Sequence, residues 1–387
     1  MEQTERYVDK LAKYILAAAG LGIICTICWY LKDVLIYILA AVVVSLIAKP
    51  IMGGLQKIRI KGRKAPDWFL AAFSLTLVIT IILTIITLIV PIVSSIVKGI
   101  SMSSIENAAG QIAVPLANLN EFLKNTFPKL GSEFRIEMLL IQELHKLFDA
   151  SAISSMIGSA TSFLTSMGIG LFSVVFIGFF FIKDDGLFTN IVCALVPDKH
   201  EKTTEKAIAD IGYLLSRYFI GVMLEVCGVA LLNFLGLLLI ARMGFNAAIG
   251  IAFLTGILNI IPYVGPLLGG VLGTILSLII KYSSATPIGL DANFWVFTAI
   301  LIAIFCFTQL VDNFLYQPVI YSTSIKSKPL EIFIVLLIVG HIGGPLSMIV
   351  AIPCYTVLRV IAFRFFRRIK AIRRLIPSER LITGDYE

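Results

Sequence analysis

Apolar residues in this chain gather into runs long enough to cross a bilayer, separated by short polar connections. One helical crossing of the hydrocarbon core takes about 20 residues. The pattern predicts crossings over Leu11–Leu31, Val34–Ala48, Phe69–Val97, Ala152–Ile182, Leu214–Ile240 and Phe294–Tyr316. Two further apolar stretches, Asn246–Ile280 and Leu330–Phe363, are too long for one crossing and too short for two. Each is punctuated near its middle, the first by Ile261-Pro262-Tyr263-Val264-Gly265-Pro266 and the second by Gly340-His341-Ile342-Gly343-Gly344-Pro345. Proline removes a backbone donor and clashes with the preceding turn, so a helix breaks at each site. Broken backbone at membrane depth persists only inside protein or beside a watery cavity. A matched pair of such segments marks the binding region of a transporter.

The prediction is therefore an all-α, polytopic integral membrane protein with about eight membrane segments, two of them Gly/Pro-broken. Two topologies remain open. Either both broken segments cross fully, or both enter and return as re-entrant hairpins. In the hairpin topology the Lys281–Asn293 connection moves outside, and the two broken segments with their preceding crossings form units of opposite orientation. Four regions follow: residues 1–97 with three crossings, a polar insertion over 98–151, a transport core over 152–363 and a basic tail over 364–387. Within the insertion, Ile136, Leu139, Leu140, Leu144 and Leu147 recur at helical spacing between charged residues, which predicts an amphipathic helix. Its charges nearly balance, which places it outside. Lys183–Gly212 reads as a polar, helix-rich cytoplasmic linker, and Ala241–Gly244 as a short outer loop.

Composition agrees with the membrane reading. Of 387 residues, 58% are hydrophobic and 14% charged, with mean hydropathy +0.95; soluble domains average about 45–50% and about 25%. The net charge of +8 does not signal nucleic acid. The surplus flanks apolar spans, at Lys57–Lys64 and in the tail at Arg364, Arg367, Arg368, Lys370, Arg373 and Arg374. That is the positive-inside pattern, which places both termini in the cytoplasm and the basic segments near anionic headgroups. The N-terminus lacks a basic start and a small-residue cleavage site, so the first apolar run is expected to stay as an anchor. Cys25 and Cys28 match C-x-x-C but fall within a span, where they read as small apolar side chains. The remaining cysteines and the three histidines are too dispersed for a metal site. No phosphate-binding loop, dinucleotide fingerprint or metalloprotease helix appears. No enzyme, cofactor, metal or self-supplied ATPase is expected.

Polar residues inside the predicted spans are the candidate pathway, because intramembrane charge is costly and usually pairs or lines a route. Glu225 lies mid-span with Asn233 two turns on; a carboxyl there is a candidate proton carrier, or a structural hydrogen bonder. Gln309, Asn313 and Gln317 recur every four residues and predict one inward polar stripe beside Asp312 and Tyr316. At the first break, Asn259, Pro262, Tyr263, Gly265 and Pro266 combine side-chain bonding with freed helix ends, which hold ions through their partial charges. His341 occupies the second break, either as a pathway group or as a structural hydrogen bonder.

Four motifs carry a resemblance: N-I-I-P-Y-V-G-P-L-L-G-G at Asn259–Gly270, D-N-F-L-Y-Q-P-V-I at Asp312–Ile320, K-P-L-E at Lys328–Glu331 and A-I-P-C-Y-T-V-L-R-V at Ala351–Val360. With Lys183–Gly186 and Leu195–Asp198, they resemble the autoinducer-2 exporter family of bacterial membrane proteins. Where many members carry His before the Pro-Leu of the third motif, this chain has Lys328, so a role of that imidazole does not transfer. The resemblance implies a multi-pass permease of the bacterial inner membrane, forming homo-oligomers. It also implies export of autoinducer-2, sodium/proton antiport, or an unassigned cargo. The leading expectation is a secondary transporter exporting a small polar solute such as that quorum-sensing signal. A monovalent cation/proton antiporter using Glu225 and Asp312 is the alternative, followed by a non-transporting scaffold that recruits partners through the polar insertion.

Overall fold

The computed structural model describes residues 29–57, 65–99, 170–283, 288–320 and 329–366, apart from Asp185, with scattered positions before 29 and between 115 and 168. The first predicted crossing for the most part, the Lys57–Lys64 loop beyond Lys57, nearly all of the polar insertion, the start of the fourth crossing, the Cys25/Cys28 pair and the tail beyond 366 lie outside the described residues. Among the described residues, six helices are long and apolar enough to cross a membrane. The protein is an all-α, multi-pass membrane protein.

The chain divides into two compact units, Met1–Ile79 with Leu164–Phe188, and Thr80–Phe163 with Thr189–Glu387. In the first, α1 (Lys32–Gln56) and the start of α2 (Asp67–Gly99) pack with α3 (Gly170–Lys183). Small residues let these backbones approach: Gly178 meets the Ala41 carbonyl and Leu75, and Gly170 meets the Tyr37 ring. The buried hydroxyls of Ser45 and Ser74 donate to carbonyls of their own helices, at 2.8 and 2.7 Å.

The second unit is organised on one long helix. After α4 (Leu187–Ala194), α5 runs unbroken over Glu201–Leu235, about 52 Å at 1.5 Å per residue. The predicted helix-rich linker is largely helical, and its second half is the first turns of α5. Within it, Thr204, Ala207 and Asp210 recur at helical spacing with Leu214 and are buried. α5 ends in a π-helical turn, Gly236–Ile240.

Both broken segments fold back on themselves. α6 (Phe245–Leu258) and α7 (Val264–Ser283) are antiparallel, with Gly269 and Gly273 against Thr255 and Ile251 and Ala252 in one core with Leu276 and Ile279. Their far ends lie on one side. The Leu290 amide donates to the Ala241 carbonyl (2.8 Å), the Gly289 amide to that of Arg242 (3.1 Å), and Lys281 Nζ to the Leu290 carbonyl (2.6 Å). The ammonium also stands 3.8 Å from the Phe297 ring centroid. α8 (Phe294–Val311) follows, capped by Asn293, whose side chain accepts from the Val296 amide at 2.8 Å. It continues through a π-helical turn, Asp312–Tyr316, into a last turn, Gln317–Ile320.

α9 (Pro329–Phe365) is interrupted at Gly344, with φ 74° and ψ −174°. Tyr355 Oη donates to Glu331 Oε2 at 2.9 Å, whereas a straight helix would hold those positions about 36 Å apart. Ser347 Oγ bonds the Val339 and Gly344 carbonyls at 2.8 and 2.6 Å, closing the bend. Both segments therefore double back on themselves, the shape that the hairpin reading expects.

The two hairpins load opposite halves of α5. The α6–α7 pair rests on its C-terminal half, where Gly256 meets Ala230 and the Val226 carbonyl. The closing arm of α9 rests on its N-terminal half, where Val360 and Phe363 join Ala207 and Leu214. There the Arg364 guanidinium is paired with Asp210, Nε to Oδ2 at 2.8 Å. α8 fills a third groove, cut by Gly221, Gly228 and Gly236 against Ile320, Tyr316 and Ile304.

Two outcomes test this arrangement. A Cβ at Gly265 would collide with the Leu258 carbonyl oxygen, whereas at Gly270 the nearest outside atom is 3.8 Å away. Gly265→Ala is expected to cost more than about 2 kcal/mol in thermal unfolding of the detergent-purified protein, and Gly270→Ala to be neutral or stabilising by up to about 1 kcal/mol. In a cysteine-free background, Asp291→Cys should react with an impermeant thiol reagent added outside cells, and Lys199→Cys only after permeabilisation. Equal protection of both would restore a full crossing by α6–α7.

Candidate functional site

The buried polar residues of the second unit collect where the first hairpin's bend reaches the middle of α5. Glu225 (4% exposed) occupies the face of α5 that also buries Leu214 and Tyr218. Asn259, buried where α6 ends, donates from Nδ2 to Glu225 Oε1 at 3.3 Å. From α8, the fully buried Asp312 brings its carboxyl within hydrogen-bonding and electrostatic reach of Glu225. Two acids from different helices thus stand side by side in the buried interior of this unit.

Amide groups complete the cluster. Gln317 Nε2 donates to Asp312 Oδ2 at 2.7 Å, and Gln309 Nε2 donates to the same oxygen at 3.3 Å. Asp312 Oδ1 is buried without a hydrogen-bond partner among the described residues. Two turns along α5, Asn233 Nδ2 donates to Thr255 Oγ1 at 3.0 Å. Its carbonyl oxygen is likewise buried and unbonded. Unpaired buried acceptors are rare because each costs desolvation without return.

The predicted polar stripe changes in detail. Gln309 and Gln317 reach Asp312, but Asn313 is exposed and its Oδ1 only accepts from Gln309, at 3.2 Å. The π-helical turn over Asp312–Tyr316 is the reason. It inserts one residue into the helical repeat, so the partner of Asp312 lies five positions on and the four-residue stripe does not form.

At the first break, Ile261 N bonds the Leu258 carbonyl and Gly265 N that of Ile261, at 3.1 and 2.8 Å. Pro262 is buried, with Pro266 half-buried beside it. Tyr263 takes φ 65°, a left-handed conformation that side chains adopt only when the surroundings impose it. Its ring meets Phe333 edge-on, centroids 5.7 Å apart. The first bend thus touches the opening arm of α9. His341 is exposed at the second bend.

Thr255 and the Asp210–Arg364 pair escaped the sequence reading. Asp210 could have been found, since Ala207, Asp210, Leu214, Tyr218 and Glu225 share one helical face on which only the two acids are charged. Thr255 carried no signal in a uniformly apolar helix.

A family model described as AI-2E family transporter matches residues 15–366. Two Bacillus subtilis (strain 168) proteins are similar. The first, "Putative transport protein YueF", is 29% identical over 240 residues, covering 62% of this chain and 60% of its own. The second, "Putative transport protein YrrI", is 25% identical over 237 residues, covering 61% and 62%. The chain thus spans about three-fifths of the length of either relative. The family match runs through α5, α8 and both hairpins, and the chain belongs to the AI-2E family of transporters.

Proposed function

We propose that the chain is a secondary transporter of the bacterial inner membrane. It moves a small polar solute outward and couples that movement to a proton or monovalent cation at Glu225 and Asp312. The observation behind this reading is the carboxyl pair itself, two acids buried side by side at the bend of a broken helix. A charge in such a place is costly and is retained where ions travel. Broken helices at one level of a bundle are the architecture in which ion and solute sites are built. Autoinducer-2 is the cargo that the family name supplies, and both termini in the cytoplasm and a homo-oligomer complete the proposal.

A second reading is monovalent cation/proton antiport without an organic cargo. The unbonded Asp312 Oδ1 favours it, since that oxygen offers a ligand to a cation that replaces the shared proton. A scaffold remains as the outcome in which nothing moves.

The two readings separate experimentally. Deleting the gene should raise internal and lower external autoinducer-2, and Glu225→Gln and Asp312→Asn should each fail to restore the wild-type distribution. Everted vesicles should show sodium-induced dequenching of a pH-sensitive dye under the second reading, and lose it in Glu225→Gln. Unchanged signal distribution together with dequenching selects antiport. Absence of both rejects transport of either kind.

A further inference from the structure

At the end of α5 opposite the α6–α7 loops, a cavity of about 280 Å³ is lined by Lys202, Thr203, Lys206, Phe363 and Arg364. Three of its five lining residues are cationic and none is acidic. Glu201 and Glu205, on the same turns of α5, are not among the residues that line it. Asp210 is engaged with Nε and Nη2 of Arg364. α5 therefore presents two lysines and a hydroxyl to the arm of α9 that supplies Phe363 and Arg364. The positive end of the α5 dipole adds to the field in its first turn, which supplies Lys202 and Thr203.

From this cationic lining we infer that the cavity is a binding site for a phosphate-bearing anion, which bridges α5 to the closing arm of α9. Phosphate presents several acceptor oxygens to ammonium, guanidinium and hydroxyl donors at once. The volume, near the lower end of ligand pockets, suits a phosphate group with a small attached body. Phe363 gives the cavity an apolar wall, and Phe365 and Phe366, next in the chain, are 36% and 51% exposed. A phospholipid headgroup and a soluble phosphate ester share this chemistry. Either would draw α5 and α9 together where Arg364 and Asp210 already join them, and so stiffen the base of the second hairpin.

The test uses the full chain in detergent, titrated with inorganic phosphate at constant ionic strength, short-chain phosphatidylglycerol and short-chain phosphatidylcholine, with melting temperature as the readout. A saturable rise is expected with phosphate, with phosphatidylglycerol, or with both, and none with phosphatidylcholine. A response to phosphate marks a soluble source, and a response to phosphatidylglycerol alone marks a lipid headgroup. Lys202→Gln/Lys206→Gln should shift the midpoint concentration by roughly tenfold or more, and Lys206→Gln alone by less. Lys183→Gln/Lys199→Gln makes the same charge change outside the cavity and should leave the midpoint in place. Unliganded melting temperatures of all variants check that they fold. The site is overturned if neither anion shifts the protein, or if both double variants shift the midpoint equally.

Discussion

Backbone amides and carbonyls at membrane depth must find partners within the protein, and the described bends of the second unit pair theirs on the spot. The first bend closes its amides onto carbonyls of the preceding turn, at Leu258 and Ile261. At the second, Ser347 takes up the carbonyls of Val339 and Gly344. The α5–α6 connection gives the carbonyls of Ala241 and Arg242 to the Gly289–Leu290 strand of loop. Hairpins follow from this requirement. A segment that breaks mid-membrane and doubles back lets each arm shelter the other's bend.

α5 turns these local solutions into a site. Its length lets one hairpin dock on each half, and its glycines bring α8 close enough for Asp312 to reach Glu225. Such an acid pair is tolerable only with donors around it. Asn259, Gln309 and Gln317 supply them from the bend of one segment and the end of another. Polar specificity is thus assembled from three elements whose cores are otherwise aliphatic and aromatic.

Gly and Pro spacing made the breaks at 261–266 and 340–345 legible from sequence, because backbone chemistry fixes what those residues allow. The doubling back was not, since arms of 14 and 20 residues also suit other paths. Packing decided it, through contacts such as Thr255 against Gly273 that no local pattern announces. Glu225, Asn259 and Asp312 stood out by being polar amid apolar runs. The inward place of Asn313 failed on an assumed helical period, whereas the helix-rich reading of residues 183–212 agrees with the start of α5. His341, conspicuous in sequence, is exposed at the second bend.

The wide turn at Asp312–Tyr316 has a consequence for how this segment tolerates change in length. Beyond it, the helix is out of phase with its own beginning by one residue, a rotation of roughly 100°. Gln317 looks inward and Asn313 outward because of that phase, with composition playing no part. Substitutions that keep the residue count leave the phase intact, whereas inserting or deleting one residue between 312 and 316 turns Gln317 by about 100° from Asp312. The segment is constrained in number more tightly than in kind.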